Sequence, residues 1–360
     1  MSIQFLKNIL KRVPYLRPLV LRFRAARDKA RELLIFQVLK RIPLLRPFAP
    51  AWRYRHSPTF RADRRTAKAK GLEILTNQAF IEIRHGDEIL RLATSHMVYV
   101  SNIVSSFPYY YDAVEPVPTE GGFLVDCSTP RIHWVKNFNL MPILFPSLTE
   151  SLVTAKRYVD FAELKPGNVV FDLGAYSGLT SILFAERVGR HGKVFAFEPD
   201  PLNFEIAKQN IDHYARMTGN GCIDLINKGV WEHSRGISFA AEGNIGAGAT
   251  DLLPGDRGER KIVQIETITL DEFAESRALE RLDFVKCNIE GSEQCVIPSS
   301  MNLFQRYEPK IIIEPHFAPE GLTTKACTAA LAQAGYEVKV IEQDGEPLLT
   351  ALPAQVPARL

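Results

Sequence analysis

The stretch VVFDLGAYSG, Val169–Gly178, joins a short apolar run to a turn of small residues. A run of this length that ends in a turn predicts a buried β-strand. The next stretch, LTSILFAERVG, has the periodicity of an amphipathic helix, and KVFAF then predicts a second buried strand. Strand, helix and strand in this order predict a parallel sheet covered by helices. Ligands of such sheets bind beyond the carboxyl ends of the strands.

The same alternation continues through the second half of the chain. It predicts a doubly wound α/β domain over residues 151–345, followed by a tail over 346–360. Further strands are predicted in CIDLINKGV, LDFVKCNI, PKIIIE and YEVKVI. The glycine-rich loop GNIGAGAT, Gly243–Thr250, lies between two β-like stretches, so it either covers a substrate or is a disordered surface loop.

The first loop carries the candidate cofactor-binding residues Asp172, Gly174, Ala175, Ser177 and Gly178. Glycines let a ligand approach the backbone closely, and the start of the helix offers N–H donors. A dinucleotide-binding loop reads G-x-G-x-x-G, whereas this one reads D-x-G-x-x-x-G. A fixed carboxylate repels a pyrophosphate and attracts an ammonium group. The loop therefore favours S-adenosylmethionine, which carries an amino group and a sulfonium.

The second predicted strand ends in Glu198 and Pro199, and Glu198 lies 26 residues after Asp172. A carboxylate at this place accepts hydrogen bonds from both hydroxyls of a ribose. The other interpretation is a surface carboxylate that caps the next helix, a role that fits Asp200 better. Both strands together predict a nucleoside cofactor.

The sequence of this domain resembles the FkbM-type methyltransferases. The resemblance covers residues 149–341 and rests on VVFDLGAYSGLTSILFA, VFAFEPDPLNFEIAKQNI, GVWEHSRGISF, TITLDEF and LDFVKCNIEGSE. It implies a class I, Rossmann-like methyltransferase fold of seven strands with the last one antiparallel. It also implies S-adenosylmethionine as the methyl donor and a hydroxyl of a sugar, polysaccharide or secondary metabolite as the acceptor. By the same resemblance, Asp172, Gly174 and Gly178 hold the methionine end and Glu198 the ribose.

The sequence departs from the family pattern after the fourth strand. The family reads K-I-D-x-E-G-x-E there, whereas this chain reads KCNIEGSE, with Asn288 in place of the aspartate. An amide orients a cofactor or substrate by hydrogen bonds but takes no proton. Asn288 is therefore a candidate cofactor contact, and the candidate bases are Glu290 and His316. Glu290 could equally cap a helix, and a histidine at a strand end is commonly structural.

The charge is unevenly distributed along the chain. Residues 1–70 contain 19 Lys and Arg against three acidic residues, a net charge of +16, and the remaining residues carry −13. Here ILKRVPYLRP at residues 9–18 returns as VLKRIPLLRP at 38–47, and a long helix is predicted over 19–42. Such a basic amphipathic arm fits an anionic membrane or a partner protein. Packing on the acidic remainder is the main alternative, and nucleic acid ranks last because no reader motif is present.

Between the arm and the α/β domain, residues 71–150 predict a small β-rich accessory region. AFIEIRHGDEILRLAT alternates around a His-Gly-Asp turn, which is typical of a hairpin. The tyrosine run Tyr109–Tyr111 favours the core of a β-strand over a stacking surface for substrate.

The whole-chain features favour a cytoplasmic protein, with the arm at the inner membrane surface. Five scattered cysteines indicate a reducing compartment without disulfides, and no cluster has the spacing of metal ligands. No apolar run reaches the length of about 18 residues that a membrane-spanning helix needs. Two other functions remain: a non-catalytic scaffold that docks a biosynthetic complex, and a nicotinamide-dependent dehydrogenase, disfavoured by the missing third glycine.

Overall fold

The computed structural model describes residues 54–77, 79–252, 261–318, 321–343 and 346–354. The repeat of the basic arm and its long predicted helix lie outside these residues. The chain divides into two compact units: the first ends at Gly86 and takes in Ala93–Ser105, and the second comprises Asp87–Leu92 and Ser106–Leu360. Residues 106–150, assigned above to the accessory region, group with the second unit.

The first unit contains a helix, an antiparallel pair of strands and two short helical segments. These are Pro58–Ala69, the strands Glu73–Thr76 and Phe80–His85, a 3₁₀ helix at Thr94–Tyr99 and the helix Val100–Ser105. The first helix begins where it does because the Ser57 hydroxyl accepts a hydrogen bond from Phe60 N at 3.0 Å. Proline at the first helical position fits the same start.

The second unit opens with short strands. The strand Glu88–Ala93, up to Leu92 in this unit, pairs in parallel with Gly122–Cys127, which pairs antiparallel with Val117–Thr119. Arg131–His133 pairs antiparallel with Ile143–Phe145.

The tyrosine run does not form the predicted β-strand. It lies in the short helix Phe107–Tyr111, with Pro108 in its first turn. Only Tyr111 is buried, and its hydroxyl donates to Phe123 O at 2.9 Å, whereas Tyr109 is 38% exposed. The proline explains the difference, because it fixes a helical φ and removes a donor that a strand would need.

The predicted α/β domain is confirmed by a seven-stranded sheet. Its strands are β1 (Val169–Leu173), β2 (Lys193–Phe197), β3 (Ile223–Ile226), β4 (Phe284–Cys287), β5 (Lys310–Ile313), β6 (Tyr336–Gln343) and β7 (Glu346–Pro353). They lie in the order β3-β2-β1-β4-β5-β7-β6. β7 runs antiparallel to both of its neighbours, and β1 to β5 pair in parallel. The class I, Rossmann-like arrangement with an antiparallel last strand is thus present.

The segment 346–360, predicted as a tail, contains β7. YEVKVI is therefore not the final strand, and the sheet extends to Pro353. β6 and β7 pair antiparallel from Gln343↔Glu346 onward. So short a connection can only return the chain antiparallel, because a parallel crossover needs a dozen or more residues.

Two groups of helices cover the sheet. Leu152–Ala162, Leu179–Val188 and Pro201–Thr218 contact one another in succession, and a second group consists of Leu270–Ser276, Glu293–Ser299, Met301–Tyr307 and Thr324–Gln333. Phe171 and Leu173 of β1 belong to one buried cluster with Phe273 and Leu303 of the second group. Asp172 points to the opposite face, because successive side chains of a strand alternate. None of the helices described is long and apolar enough to cross a lipid bilayer.

Candidate active site

The loop after β1 is held by hydrogen bonds within the protein. The N–H groups of Gly174 and Ala175 both donate to Phe197 O of β2, at 3.0 and 2.9 Å, and Gly178 N donates to Ala175 O at 2.7 Å. Ala175 is fully buried. The N–H groups of three candidate cofactor-binding residues are therefore already bonded within the protein, and they fix the shape of the loop.

Both glycines of the loop adopt a positive φ, 86° at Gly174 and 81° at Gly178. A Cβ on Gly174 would lie 2.0 Å from the carbonyl oxygen of Asn288. Glycine is required there because the loops after β1 and β4 touch through their backbones. Gly178 is the N-cap of the helix Leu179–Val188.

Asp172 is fully buried and paired. Its Oδ1 lies 3.0 Å from Lys286 Nζ, and its Oδ2 accepts a hydrogen bond from the Ser181 hydroxyl at 2.6 Å. Lys286 also donates to Gly174 O at 2.7 Å. Burial lowers the pKa of Lys286, but the carboxylates of Asp172 and Glu150 outweigh burial and raise it above its usual value. Asp172 thus holds the loop through Lys286.

Glu198 connects the loops after β1 and β2. Its Oε2 accepts from Tyr176 N at 2.8 Å and its Oε1 from Asp200 N at 2.9 Å. The side chain is buried, and burial together with the Asp200 carboxylate raises the pKa of Glu198 to about 8. The capping role falls to Asp200, whose Oδ1 accepts from Leu202 N at 2.8 Å, and Pro199 lies half-buried between the two acids.

The glycine-rich loop Gly243–Thr250 contacts the residues that follow β2. Gly243 N donates to Asp200 Oδ2 at 2.9 Å, and Asn203 Nδ2 donates to Asn244 O at 3.1 Å. Asn244 is 2% exposed. The start of this loop is therefore docked on the second loop of the sheet, contrary to the alternative of a disordered excursion.

Asn288 faces Glu314, at the end of the neighbouring strand β5. Asn288 Nδ2 donates to Glu314 Oε2, which also accepts from the buried Tyr158 hydroxyl at 2.6 Å. Burial, followed by the charge of Glu314, raises the pKa of Tyr158 well above its usual range. An amide fits at position 288 because the partner there is a carboxylate oxygen, which needs a donor.

Glu290 and His316, the two candidate bases, lie next to each other. His316 Nε2 is 3.3 Å from Glu290 Oε1, and His316 Nδ1 is 2.9 Å from Oε1 of the fully buried Glu293. Burial lowers the pKa of His316, but the two carboxylates raise it well above its usual range. The imidazole is accordingly held in its charged form. Glu290 has a φ of 53°, so the turn after β4 is tightly constrained.

Sequence reasoning missed the residues that precede the sheet and line the first loop. Ser177 donates its hydroxyl to Glu150 Oε2, and the Tyr176 hydroxyl donates to Leu148 O at 2.8 Å. Burial raises the pKa of Glu150 to about 7. No sequence motif marks the segment with Leu148 and Glu150. Glu314 follows an apolar strand just as Glu198 does, and this pattern could have identified Glu314 as a site residue.

Comparisons with known proteins bear on the family of the α/β domain. Residues 172–338 match the family model described as "Methyltransferase FkbM domain". The hexuronic acid methyltransferase AglP of Haloferax volcanii is 26% identical over 178 residues, which cover 49% of this chain and 67% of that protein.

Two solved structures are similar to part of the chain. Methyltransferase FkbM from Methylobacillus flagellatus KT is 16% identical with a TM-score of 0.36, covering 55% of this chain and 50% of that one. The O-methyltransferase from Bacillus cereus is 13% identical with a TM-score of 0.36, covering 56% of this chain and 79% of that one. On the family match and the sheet order, residues 172–338 of this protein are a methyltransferase FkbM domain.

Proposed function

We propose that the protein transfers a methyl group from S-adenosylmethionine to a hydroxyl oxygen of a sugar, a polysaccharide or a secondary metabolite. The observation that carries the proposal is the position of Glu198 in an FkbM domain, at the end of β2 and bonded to the loop after β1. This is the corner of a doubly wound sheet where a nucleoside ribose lies.

The Glu198 carboxylate keeps acceptor capacity for the ribose. An ionised carboxylate offers about four lone-pair sites. The N–H groups of Tyr176 and Asp200 take one on each oxygen, and the Asn203 side chain also bonds to the carboxyl. The remaining acceptor capacity is available to a ribose hydroxyl. Because a hydroxyl donor stabilises the ionised form, the ligand offsets the burial that raises the pKa of this carboxyl.

The internal bonds of the first loop disfavour a nicotinamide dinucleotide. A pyrophosphate is bound by free N–H groups at the start of the helix. Here the N–H groups of Gly174, Ala175 and Gly178 bind backbone carbonyls, and that of Tyr176 binds Glu198. A dehydrogenase is therefore the weaker alternative.

The similarity to a hexuronic acid methyltransferase supports a sugar acceptor, and we propose hexuronic acids as the first acceptors to test. When bound, S-adenosylmethionine supplies an electrophilic methyl group on a positively charged sulfur. The protein's part is to align the acceptor hydroxyl and to receive its proton.

Of the two candidate bases, Glu290 fits better. A charged His316 has both ring nitrogens protonated and takes up no further proton, whereas Glu290 is a half-buried carboxylate at its side. In this assignment His316 orients Glu290. The hydrogen-bonded pair of Asn288 and Glu314 lies at the ends of the same two strands. Asn288 stands where the family has an aspartate, and Glu290 provides a carboxylate two residues later.

Calorimetry with S-adenosylhomocysteine and with NAD tests the cofactor. We expect binding of the first only, abolished in Glu198→Ala and retained in Glu205→Gln, a control on the exposed face of the helix Pro201–Thr218. Binding of NAD alone would refute the proposal.

Release of S-adenosylhomocysteine over a panel of uronic acids, neutral sugars and polysaccharides tests the acceptor. Turnover of any panel member supports methyl transfer. Tight cofactor binding without turnover across the panel would favour the non-catalytic scaffold instead.

A further inference from the structure

The helix Pro58–Ala69 has one exposed, charged face, and its opposite face is buried. Asp63 and Ala67 are buried. Asp63 Oδ2 accepts from the Tyr54 hydroxyl at 2.7 Å, and Oδ1 accepts from the Ser101 hydroxyl at 2.7 Å. Asp63 is the single acidic residue of this helix, and both of its oxygens are used on the inner side. The orientation of the helix within its unit is thereby fixed.

The outer face is a stripe of four cations. They lie at intervals of three, one and three residues, the spacing that puts side chains on one side of a helix. The stripe consists of Arg61, Arg64, Arg65 and Lys68, all exposed.

Within the part of the chain that the structure describes, none of the four forms an ion pair with a carboxylate. Arg61 donates to His56 O at 3.4 Å, and Arg64 lies 5.8 Å from the centre of the Phe60 ring. Like charges three and four residues apart on a helix repel one another. The stripe therefore lowers the stability of its own helix and gains from an external anion.

The preceding sequence offers little counter-charge. Residues 1–53 contain 13 Lys and Arg but only Asp28 and Glu32 as acids. The same segment has apolar residues at helical spacing, such as Leu34, Val38 and Ile42. Cations interleaved with an apolar stripe match a lipid surface, which has anionic headgroups above hydrocarbon. A nucleic acid would use the cations alone.

We propose that this cationic stripe docks the protein on an anionic lipid bilayer. The lipid is recognised by its charge, and the four cations act together. Each Lys or Arg near such a surface strengthens binding about fivefold. The inference concerns the first unit alone, and it holds or fails independently of the methyl acceptor.

Co-sedimentation of the full chain with vesicles tests the proposal. One set contains phosphatidylglycerol and phosphatidylcholine, and the other phosphatidylcholine alone. The parent should bind the anionic set and dissociate as salt rises. A variant with Arg61→Gln, Arg64→Gln, Arg65→Gln and Lys68→Gln should bind at least tenfold more weakly, with a melting temperature no lower than that of the parent.

The matched control removes the same charge elsewhere, in four exposed residues of the second unit. It carries Arg187→Gln, Arg216→Gln, Arg235→Gln and Lys156→Gln. We expect this control to bind vesicles nearly as the parent does. Equal losses in both variants would mean that net charge and not the stripe matters, and would overturn the proposal. So would equal binding to both vesicle sets, or tighter binding to a DNA duplex than to anionic vesicles.

Discussion

Asp172 and Lys286 lie directly opposite each other in the paired strands β1 and β4, and they form an ion pair with 3.0 Å between Oδ1 and Nζ. Their side chains are 0% and 4% exposed. The ammonium also donates to Gly174 O at 2.7 Å. One contact therefore joins the two central strands to the loop that sequence reasoning assigned to the cofactor.

We expect Asp172→Ala to destabilise the fold by about 3–5 kcal/mol, because it leaves a buried ammonium without its carboxylate. The sequence assigned Asp172 only to the methionine end of the cofactor, and the buried ion pair adds a structural role. Urea unfolding of the free protein measures the effect. The double variant Asp172→Asn with Lys286→Met should recover part of the loss. A single variant as stable as the parent would contradict a structural role for the pair.

We expect Asn288→Asp to lower stability by about 1–3 kcal/mol at neutral pH, because a donor to Glu314 becomes a second carboxylate. When the pH is low enough to add one proton to the pair, the protonated acid donates to the other. The deficit should then shrink. Melting temperatures of parent and variant between pH 4 and pH 8 measure this, with Asn288→Ala as the uncharged control. A deficit that does not change with pH would exclude carboxylate repulsion.

We expect the affinity for S-adenosylhomocysteine to rise as the pH passes through about 8, the raised pKa of Glu198. Below that pH the free carboxyl is protonated, and binding of the ribose hydroxyls must first release the proton. Titrations from pH 6.5 to pH 9 measure the trend. Glu198→Gln should bind S-adenosylhomocysteine weakly, and its affinity should no longer depend on pH through the ionisation of residue 198. A parent and variant with parallel pH profiles would assign the titration to another group.

The same carboxyl predicts how stability depends on pH in the absence of ligand. The folded pKa of Glu198 is raised above its unfolded value, so the unfolded chain ionises first. Stability contributed by this group should therefore fall as pH rises from about 4.5 towards about 8. Saturating S-adenosylhomocysteine should reduce that fall in thermal melts.

We expect His316→Gln to cost stability most at low pH. The folded pKa of His316 is raised, so its charged contacts with Glu290 and Glu293 stabilise fully below the unfolded pKa and are lost as pH rises through the folded value. The difference between parent and variant in urea unfolding should be largest near pH 6 and smaller at pH 9. Activity assays test the assignment of Glu290 as the base. If His316→Gln removes a base of raised pKa from the pH profile and Glu290→Gln leaves the activity unchanged, His316 is the base instead.

Local sequence predicted the main sheet because its signals are local. Apolar runs of strand length and helical periodicity depend on neighbouring residues, and Val169–Leu173, Lys193–Phe197 and Phe284–Cys287 form strands as the pattern indicated. The tyrosine helix shows the limit, since one proline at Pro108 outweighed the β propensity of three aromatic residues.

By itself, the sequence determined the α/β class, the first loop with its glycines, and the acids at the strand ends such as Glu198. Only the tertiary structure decided which of these groups face a partner. Asp172 and Lys286 lie 114 residues apart in sequence, and Asn288 meets Glu314 only because β4 and β5 pair in register. Burial then decides the role of such a group. A buried charge needs a counter-charge within the protein, because water is excluded. Asp172, which the sequence assigned to the ligand, therefore also forms an ion pair with Lys286.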